Sequence, residues 1–162
     1  MIREARPADA AAIAAIWNPV IRDTVATFHA VEKPVLDVER MISDRAASGH
    51  GTFICENGDG RVLGFASYSQ FRGGIGYRYT VEHTVIVAPQ AAGSGAGRAL
   101  MDALCAHATT AGMHSLWAGI SSENRAGIAF HERMGFDYVA TLPEAGWKFD
   151  RWFDLVLMQK RL

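Results

Sequence analysis

The sequence contains few of the features that mark secreted proteins. Its 162 residues include only two cysteines, Cys55 and Cys105, and five prolines. Cys55 falls in a predicted strand and Cys105 in a predicted helix, so two buried thiols are favoured over a disulfide. We therefore expect the protein to work in a reducing compartment, the cytoplasm.

Long apolar runs and an excess of charge of one sign are also absent. No apolar stretch approaches the roughly 20 residues that a membrane-spanning helix needs. The apolar stretch near the start is interrupted by Glu4 and Asp9 and has a helical period, which indicates an amphipathic first helix and not a signal peptide. Sixteen Lys and Arg residues oppose seventeen Asp and Glu residues, for a net charge of −1. Neither a nucleic acid nor a membrane is therefore expected as a partner.

The length predicts a single domain that covers residues 1–162, and the amino-acid sequence contains no internal repeat and no linker segment. Apolar periodicity and turn residues predict the element order β-α-α-β-β-β-α-β-α-β-β. The predicted elements are a strand at Met1–Glu4, a helix from Pro7, a helix at Pro34–Ala47, strands at Thr52–Glu56, Arg61–Gln70 and Tyr77–Ala88, a helix at Gly95–Ala111, a strand at His114–Ile120, a helix at Asn124–Met134 and two C-terminal strands. Hairpins mixed with β-α-β crossings predict the α+β class with a mixed sheet.

A glycine-rich turn joins the apolar strand Thr80–Val87 to the helix that follows it. Glycines at positions 93, 95 and 97 let the backbone approach a ligand closely, and a helix N-terminus favours an anion such as a pyrophosphate. A dinucleotide-binding G-x-G-x-x-G motif fails, because Arg98 or Leu100 stands where the third glycine should be. A P-loop also fails, since Gly97-Arg98-Ala99 replaces Gly-Lys-Ser/Thr.

The remaining pattern resembles the acyl-CoA loop of the GNAT family of N-acetyltransferases, written Arg/Gln-x-x-Gly-x-Gly/Ala. Two phases of this motif are open. Gln90, Gly93 and Gly95 fit it literally, whereas Ala92, Gly95 and Gly97 fit the usual helix start better. We prefer the second phase, in which Ala92 departs from the family's Arg/Gln.

Motifs in both halves are similar to one branch of this family, the phosphinothricin and methionine sulfoximine acetyltransferases. Residues 80–87 resemble T-V-E-x-S/T-V-Y-V, residues 124–136 resemble N-x-A-S-I-x-L-H-E-x-L-G-F, and residues 148–154 resemble K-F-G-R-W-x-D. The likeness spans essentially the whole chain. It implies the GNAT fold, a mixed, mostly antiparallel sheet flanked by helices, with acyl-CoA in the splay beside the central strand. It also implies acetyl-CoA as co-substrate and a homodimer.

The resemblance assigns roles to particular residues. Glu82 is the expected base, because a carboxylate among apolar strand residues has a raised pKa. His131 is expected to give a proton to the leaving thiolate. The expected CoA contacts are Val85, Ile86 and Val87 in the strand, Gly93, Ser94, Gly95, Ala96, Gly97 and Arg98 in the loop, and Asn124. The expected acceptor contacts are Phe28, Arg72, Arg78, Glu82, His83 and Thr84.

The sequence differs from the motifs of this branch at four positions, and these differences affect which acceptor we expect the protein to bind. Ile86 replaces a tyrosine, Gly127 a serine and Asp150 a glycine, and Gly74 replaces the second arginine of F-R-x-R-x-x-Y. We expect an amino-acid-like acceptor held by Arg72 with help from Arg78, since a guanidinium fork binds carboxylates well.

Two other interpretations stay open, namely acetylation of a protein N-terminus or another amine, and a non-catalytic acyl-CoA-binding module. No metal is expected, because the remaining histidines are not spaced as a ligand set.

Overall fold

The computed structural model describes residues 1–162 as a seven-stranded sheet with four helices. The strands are β1 (Ile2–Glu4), β2 (Thr52–Glu56), β3 (Val62–Gln70), β4 (Thr80–Val87), β5 (Ser115–Ser121), β6 (Asp137–Lys148) and β7 (Arg151–Arg161). The helices are α1 (Ala10–Asp23), α2 (Val35–Ala47), α3 (Ala96–Thr110) and α4 (Arg125–Arg133). The predicted element order is confirmed.

The strands lie in the order β1-β2-β3-β4-β5-β7-β6. Every neighbouring pair is antiparallel except β4 and β5, which are parallel. The mixed, mostly antiparallel sheet expected from the resemblance is therefore confirmed. The β4–β5 pairing is short and runs only from Thr80–Ser115 to Glu82–Trp117.

Side chains along β4 point alternately to the two faces of the sheet, and each face has its own apolar cluster. Val81, Val85 and Val87 pack in the cluster that includes α3, whereas Ile86 packs with α1 and α2 on the other face. Glu82 and Thr84 have the same parity as Ile86, because successive strand side chains point to opposite faces. β4 thus presents Glu82 to the α1/α2 side.

One strand boundary differs from the prediction. β4 begins at Thr80 and not at Tyr77, because Ile75–Tyr77 form a 3₁₀ turn. Gly74 precedes that turn with φ of 105°, a conformation that glycine adopts readily and that ends extended structure. Arg78 therefore lies in a turn before the strand.

None of the four helices is both long enough and apolar enough to cross a membrane.

Candidate active site

A cavity of about 430 Å³ lies where β4 and β5 separate. Beyond Glu82 the two strands no longer pair, while β5 continues beside β7 as far as Ser121 and Leu155. Residues of α1, α2, α4 and the segment between α1 and α2 complete the lining. The cavity joins the two faces of the sheet through this opening.

Glu82 lines the cavity without an ion-pair partner. It lies opposite Ser69 on β3, and no Lys, Arg or His nitrogen is within salt-bridge distance of its carboxylate. Burial raises the pKa of Glu82 above its ordinary value. On the β5 side, a Cβ at Gly119 would lie 3.0 Å from Glu82 Oε1, so glycine at that position leaves room for the carboxylate. The arrangement suits a carboxylate that accepts and releases a proton.

His131 and His83 form a buried pair on the opposite side of the opening. His131 Nδ1 donates to the carbonyl oxygen of Gly127 at 2.7 Å, and His83 Nδ1 donates to the carbonyl oxygen of Trp117 at 2.8 Å. Their Nε2 atoms face each other at 3.0 Å. Two neutral imidazoles supply two N–H groups for these three contacts. All three contacts become hydrogen bonds only when the pair carries one additional proton.

Burial opposes that additional proton. It lowers the pKa of His83, which the charge of His131 lowers further, and it also lowers the pKa of His131. The geometry therefore holds a place for one proton, while burial disfavours the protonated form of the pair.

The glycine-rich turn presents backbone donors that make no hydrogen bond within the protein. These are the N–H groups of Gly93, Gly95, Gly97 and Arg98. Gly95 is the N-cap of α3 with φ of 87°, and Gly93 also has a positive φ. Free amides at a helix N-terminus, unobstructed by Cβ atoms, fit the pyrophosphate of CoA. Ser94 and Ala96 complete the turn, with Ser94 Oγ accepting from the N–H of Ala96 at 3.3 Å.

Asn124 caps α4 at the edge of the cavity. Its Oδ1 accepts from the N–H of Gly127 at 2.9 Å. A Cβ at Gly127 would come within 2.5 Å of Asn124 Nδ2, so the glycine that replaces the branch's serine allows this capping geometry.

Phe28 reaches the cavity from the segment between α1 and α2. Lys148 on β6 holds that segment, because its Nζ donates to the carbonyl oxygens of Thr24 at 2.6 Å and Thr27 at 2.9 Å. A Cβ at Gly146 would overlap the Phe28 ring, so glycine at this position leaves room for the ring. The C-terminal hairpin thus positions the wall of the cavity that Phe28 forms.

The structure brings eight of the seventeen predicted site residues together in the cavity lining, while Val87 and residues 93–98 lie outside it. The cavity lining includes Phe28, Glu82, His83, Thr84, Val85, Ile86, Asn124 and His131. Arg72 and Arg78 are not among the lining residues. Arg72 lies over the Tyr77 ring, 5.4 Å from its centroid, and Arg78 lies over the Tyr79 ring at 4.6 Å.

Three lining or supporting residues were given no role by the sequence analysis, although Lys148 opens the motif at residues 148–154. Trp17 and Arg45 line the cavity from α1 and α2, and Lys148 supports Phe28. Helical periodicity places Trp17 in the core and leaves Arg45 as one charged helix residue among several, so neither was predicted. Nowhere do three or more His, Cys, Asp or Glu side chains group as a metal site.

Comparison with known proteins decides the family. The family model described as "Acetyltransferase (GNAT) domain" matches residues 2–157. The chain belongs to the GNAT acetyltransferase family. This acetyltransferase is 37% identical to an L-methionine sulfoximine/L-methionine sulfone acetyltransferase from Pseudomonas aeruginosa, over 99% of its own chain and 94% of that protein. It is 39% identical to an L-amino acid N-acyltransferase from Escherichia coli, over 99% and 93% of the two chains.

Solved structures agree with this assignment. A phosphinothricin acetyltransferase from Sinorhizobium meliloti in complex with acetyl-CoA superposes with a TM-score of 0.95 at 29% identity, covering 100% of this chain and 88% of that one. A ribosomal-protein-alanine N-acetyltransferase from Brucella melitensis has a TM-score of 0.96 at 38% identity, covering 100% and 99%. The protein is an acetyl-CoA-dependent N-acetyltransferase, and its GNAT fold is confirmed.

Proposed function

We propose that this acetyltransferase moves the acetyl group of acetyl-CoA to the amine of a small, amino-acid-like acceptor. The observation that carries the proposal is a cavity of about 430 Å³ in which Glu82 lies without an ion pair beside the β4–β5 opening. This volume is at the small end of ligand pockets, and it must hold the acceptor and the acyl end of CoA together. The acceptors printed in the names of its relatives are amino acids or amino-acid analogues.

Glu82 removes the proton of the acceptor's ammonium group, directly or through a water. Burial raises the pKa of Glu82 and so makes it a stronger base than an ordinary glutamate. Bound acetyl-CoA supplies an activated acetyl thioester. Because Val85–Val87 have no strand partner on the β5 side, a backbone N–H in this stretch polarises the thioester carbonyl.

His131 returns a proton to the departing thiolate. It lines the cavity, and its Nε2 faces His83 Nε2, the place where the pair can hold an additional proton. The CoA contacts proposed for Val85, Ile86, Val87, residues 93–98 and Asn124 place the thiol end next to this pair. Transfer is direct, because neither Cys55 nor Cys105 lines the cavity as a nucleophile.

Acetylation of a protein N-terminus is the second candidate, favoured by the similarity to the ribosomal-protein-alanine N-acetyltransferase from Brucella melitensis. An extended open groove would suit a peptide, whereas Phe28 and the segment held by Lys148 close one side of the cavity here. We therefore place the small acceptor first.

A substrate panel tests the choice. Release of free CoA is measured with methionine sulfoximine, phosphinothricin, ordinary amino acids, simple amines and alanine-starting peptides. We expect the highest kcat/KM for methionine sulfoximine or a related amino acid. A peptide or a simple amine as the best acceptor would contradict the proposal.

We also propose a homodimer in the cytoplasm. The support for a dimer is a group of exposed aromatic side chains, Trp147, Phe149 and Trp152, at the end of the β6–β7 hairpin on the edge of the sheet. The support for a reducing compartment is that both cysteines are free thiols.

A further inference from the structure

Two buried hydrogen-bond donors in the cavity lining have no acceptor. Arg45 Nη1 on α2 and Trp17 Nε1 on α1 make no hydrogen bond, although both atoms are shielded from solvent. Buried donors are nearly always paired in folded proteins, because an unpaired one loses its water without gaining a partner. Two such donors in the lining of one cavity indicate that a ligand supplies the missing acceptor.

Both donors come from helices on the side of the sheet to which Glu82 points. α1 and α2 pack on the face that holds Ile86, and Glu82 has the parity of Ile86 in β4. Ser69, opposite Glu82 on β3, also lines the cavity. An acceptor that reaches Glu82 with its amine therefore lies on the same side as Arg45 and Trp17.

Arg45 is the arginine of the chain that has a side-chain nitrogen shielded from solvent and without a hydrogen-bond partner. Arg3, Arg22, Arg40 and Arg151 form salt bridges with carboxylates, and Arg72 and Arg78 lie over exposed aromatic rings. Arg45 forms neither contact, and burial lowers the pKa of its guanidinium to about 10. It therefore stays charged at neutral pH, so its natural partner is an anion.

We propose that Arg45 and Trp17 bind the α-carboxylate of the acceptor amino acid and so direct its amine to Glu82. A carboxylate accepts hydrogen bonds at both oxygens, which matches one guanidinium donor and one indole N–H. The inference rests on the proposed function and names the anchor of its substrate. It gives Arg45 the role that the sequence assigned to Arg72.

Arg78 is proposed to attract the acceptor by its charge and not to contact it. It lines a neighbouring depression that shares Arg45 and Ser69 with the cavity, together with Asp44 and His50. Its positive charge stands near the outer side of Arg45 and contributes to attracting an anionic acceptor, without touching it.

The test compares an acceptor with its carboxylate-free counterpart. Methionine sulfoximine, or the best amino acid of the panel, is measured beside the amine that has the same side chain and no carboxylate. We expect Arg45→Gln to raise KM for the amino acid about 10- to 100-fold, the loss that follows removal of a charge-assisted hydrogen bond. KM for the amine and the Kd of acetyl-CoA should stay unchanged. Trp17→Phe should raise the same KM by a smaller factor.

Matched variants separate recognition from stability. Arg40→Gln on the exposed side of α2 and Arg72→Ala should leave the ratio of the two KM values unchanged. If Arg45→Gln does not fold, Arg45→Lys keeps the charge and loses the planar fork, and it should still raise KM for the amino acid alone. An unchanged ratio in the Arg45 variants, with a collapse in Arg72→Ala, would overturn the inference and leave the proposed function intact. Failure of the wild-type enzyme to acetylate any amino acid would overturn both.

Discussion

At the scale of single residues, the proposal that Glu82 is the base can be tested through the rate and its pH dependence. Glu82→Gln should lower kcat by a factor on the order of 10² or more, the usual contribution of a general base, while the Kd of acetyl-CoA stays the same. Burial raises the pKa of Glu82, so the carboxylate becomes protonated at a higher pH than an ordinary glutamate does. The acid-side decline in the rate of the wild type should therefore begin at a correspondingly higher pH. Steady-state kinetics between pH 5 and 9, roughly the range around the histidine and glutamate pKa values, measure both effects.

The same shift has a consequence for stability. A raised pKa means that the folded state disfavours the charged carboxylate, so the penalty is present above the raised pKa and disappears as pH falls below the unfolded value. Glu82→Gln should therefore raise Tm at pH 8 and leave it nearly unchanged at pH 4. A variant with normal turnover at every pH would remove Glu82 from the role of base.

We expect His83 to influence the proposed proton transfer through His131, which faces it at 3.0 Å between the two Nε2 atoms. The variant His83→Asn removes the contact between His83 Nε2 and His131 Nε2. A protonated His131 then has no imidazole nitrogen of residue 83 to accept its Nε2–H. We expect kcat to fall about tenfold and the basic limb of its pH profile to move to lower pH, with KM for acetyl-CoA unchanged. The exposed His114→Asn is the control. A reduced rate with an unmoved pH profile would assign His83 a packing role only.

Sequence reasoning was strongest where a residue lies in a regular element. Strand parity put Glu82 and His83 on opposite faces, and the structure has them there. Arg72 and Arg78 lie outside the cavity lining, because Gly74 and the 3₁₀ turn that follows direct that loop, and the acceptor contacts expected of them stay a prediction. Arg45 was missed because the absence of a partner is a property of three-dimensional packing, which helical spacing does not contain.

At the scale of elements, the C-terminal hairpin holds the segment that carries Phe28. Lys148→Met keeps the length of the side chain and leaves the carbonyl oxygens of Thr24 and Thr27 without their donor. We expect a loss of about 1–3 kcal/mol in the free energy of unfolding and a rise in KM for the acceptor, because Phe28 is no longer fixed. Denaturant unfolding and steady-state kinetics measure the two.

Lys160 offers a matched control for that variant. Its Nζ donates to the carbonyl oxygen of Met134 at 2.6 Å, and it is not part of the cavity lining. Lys160→Met should therefore destabilise the protein with no change in KM. Equal changes in KM for the two variants would mean that general destabilisation, and not the position of Phe28, controls acceptor binding.

The order of elements was predicted from periodicity and turn residues, yet the opening between β4 and β5 was not. Both strands have apolar runs that would allow longer pairing. The separation follows from β5 staying in register with β7 while β4 stays in register with β3. This is long-range pairing, and only the family resemblance made it expected.

At the scale of the whole molecule, three exposed aromatic side chains in the β6–β7 hairpin are the basis for the proposed homodimer. Trp147, Phe149 and Trp152 are each about half exposed. A dimer that buries them should appear as twice the chain mass of 17.6 kDa in size-exclusion chromatography with light scattering. Replacing both tryptophans with serine should give a monomer. A wild-type monomer at micromolar concentration would contradict the homodimer.

The short β4–β5 pairing also places an edge strand inside a folded protein. Unpaired strand edges at a protein surface recruit other chains and promote aggregation. From His83 to Val87, β4 has no strand partner on its β5 side, although it lies in the middle of the sheet and the surrounding helices shield it. The chain therefore keeps the hydrogen-bonding capacity of an open strand edge for a ligand that enters the cavity, away from the outer edges of the sheet, β1 and β6, where strands of other chains would pair.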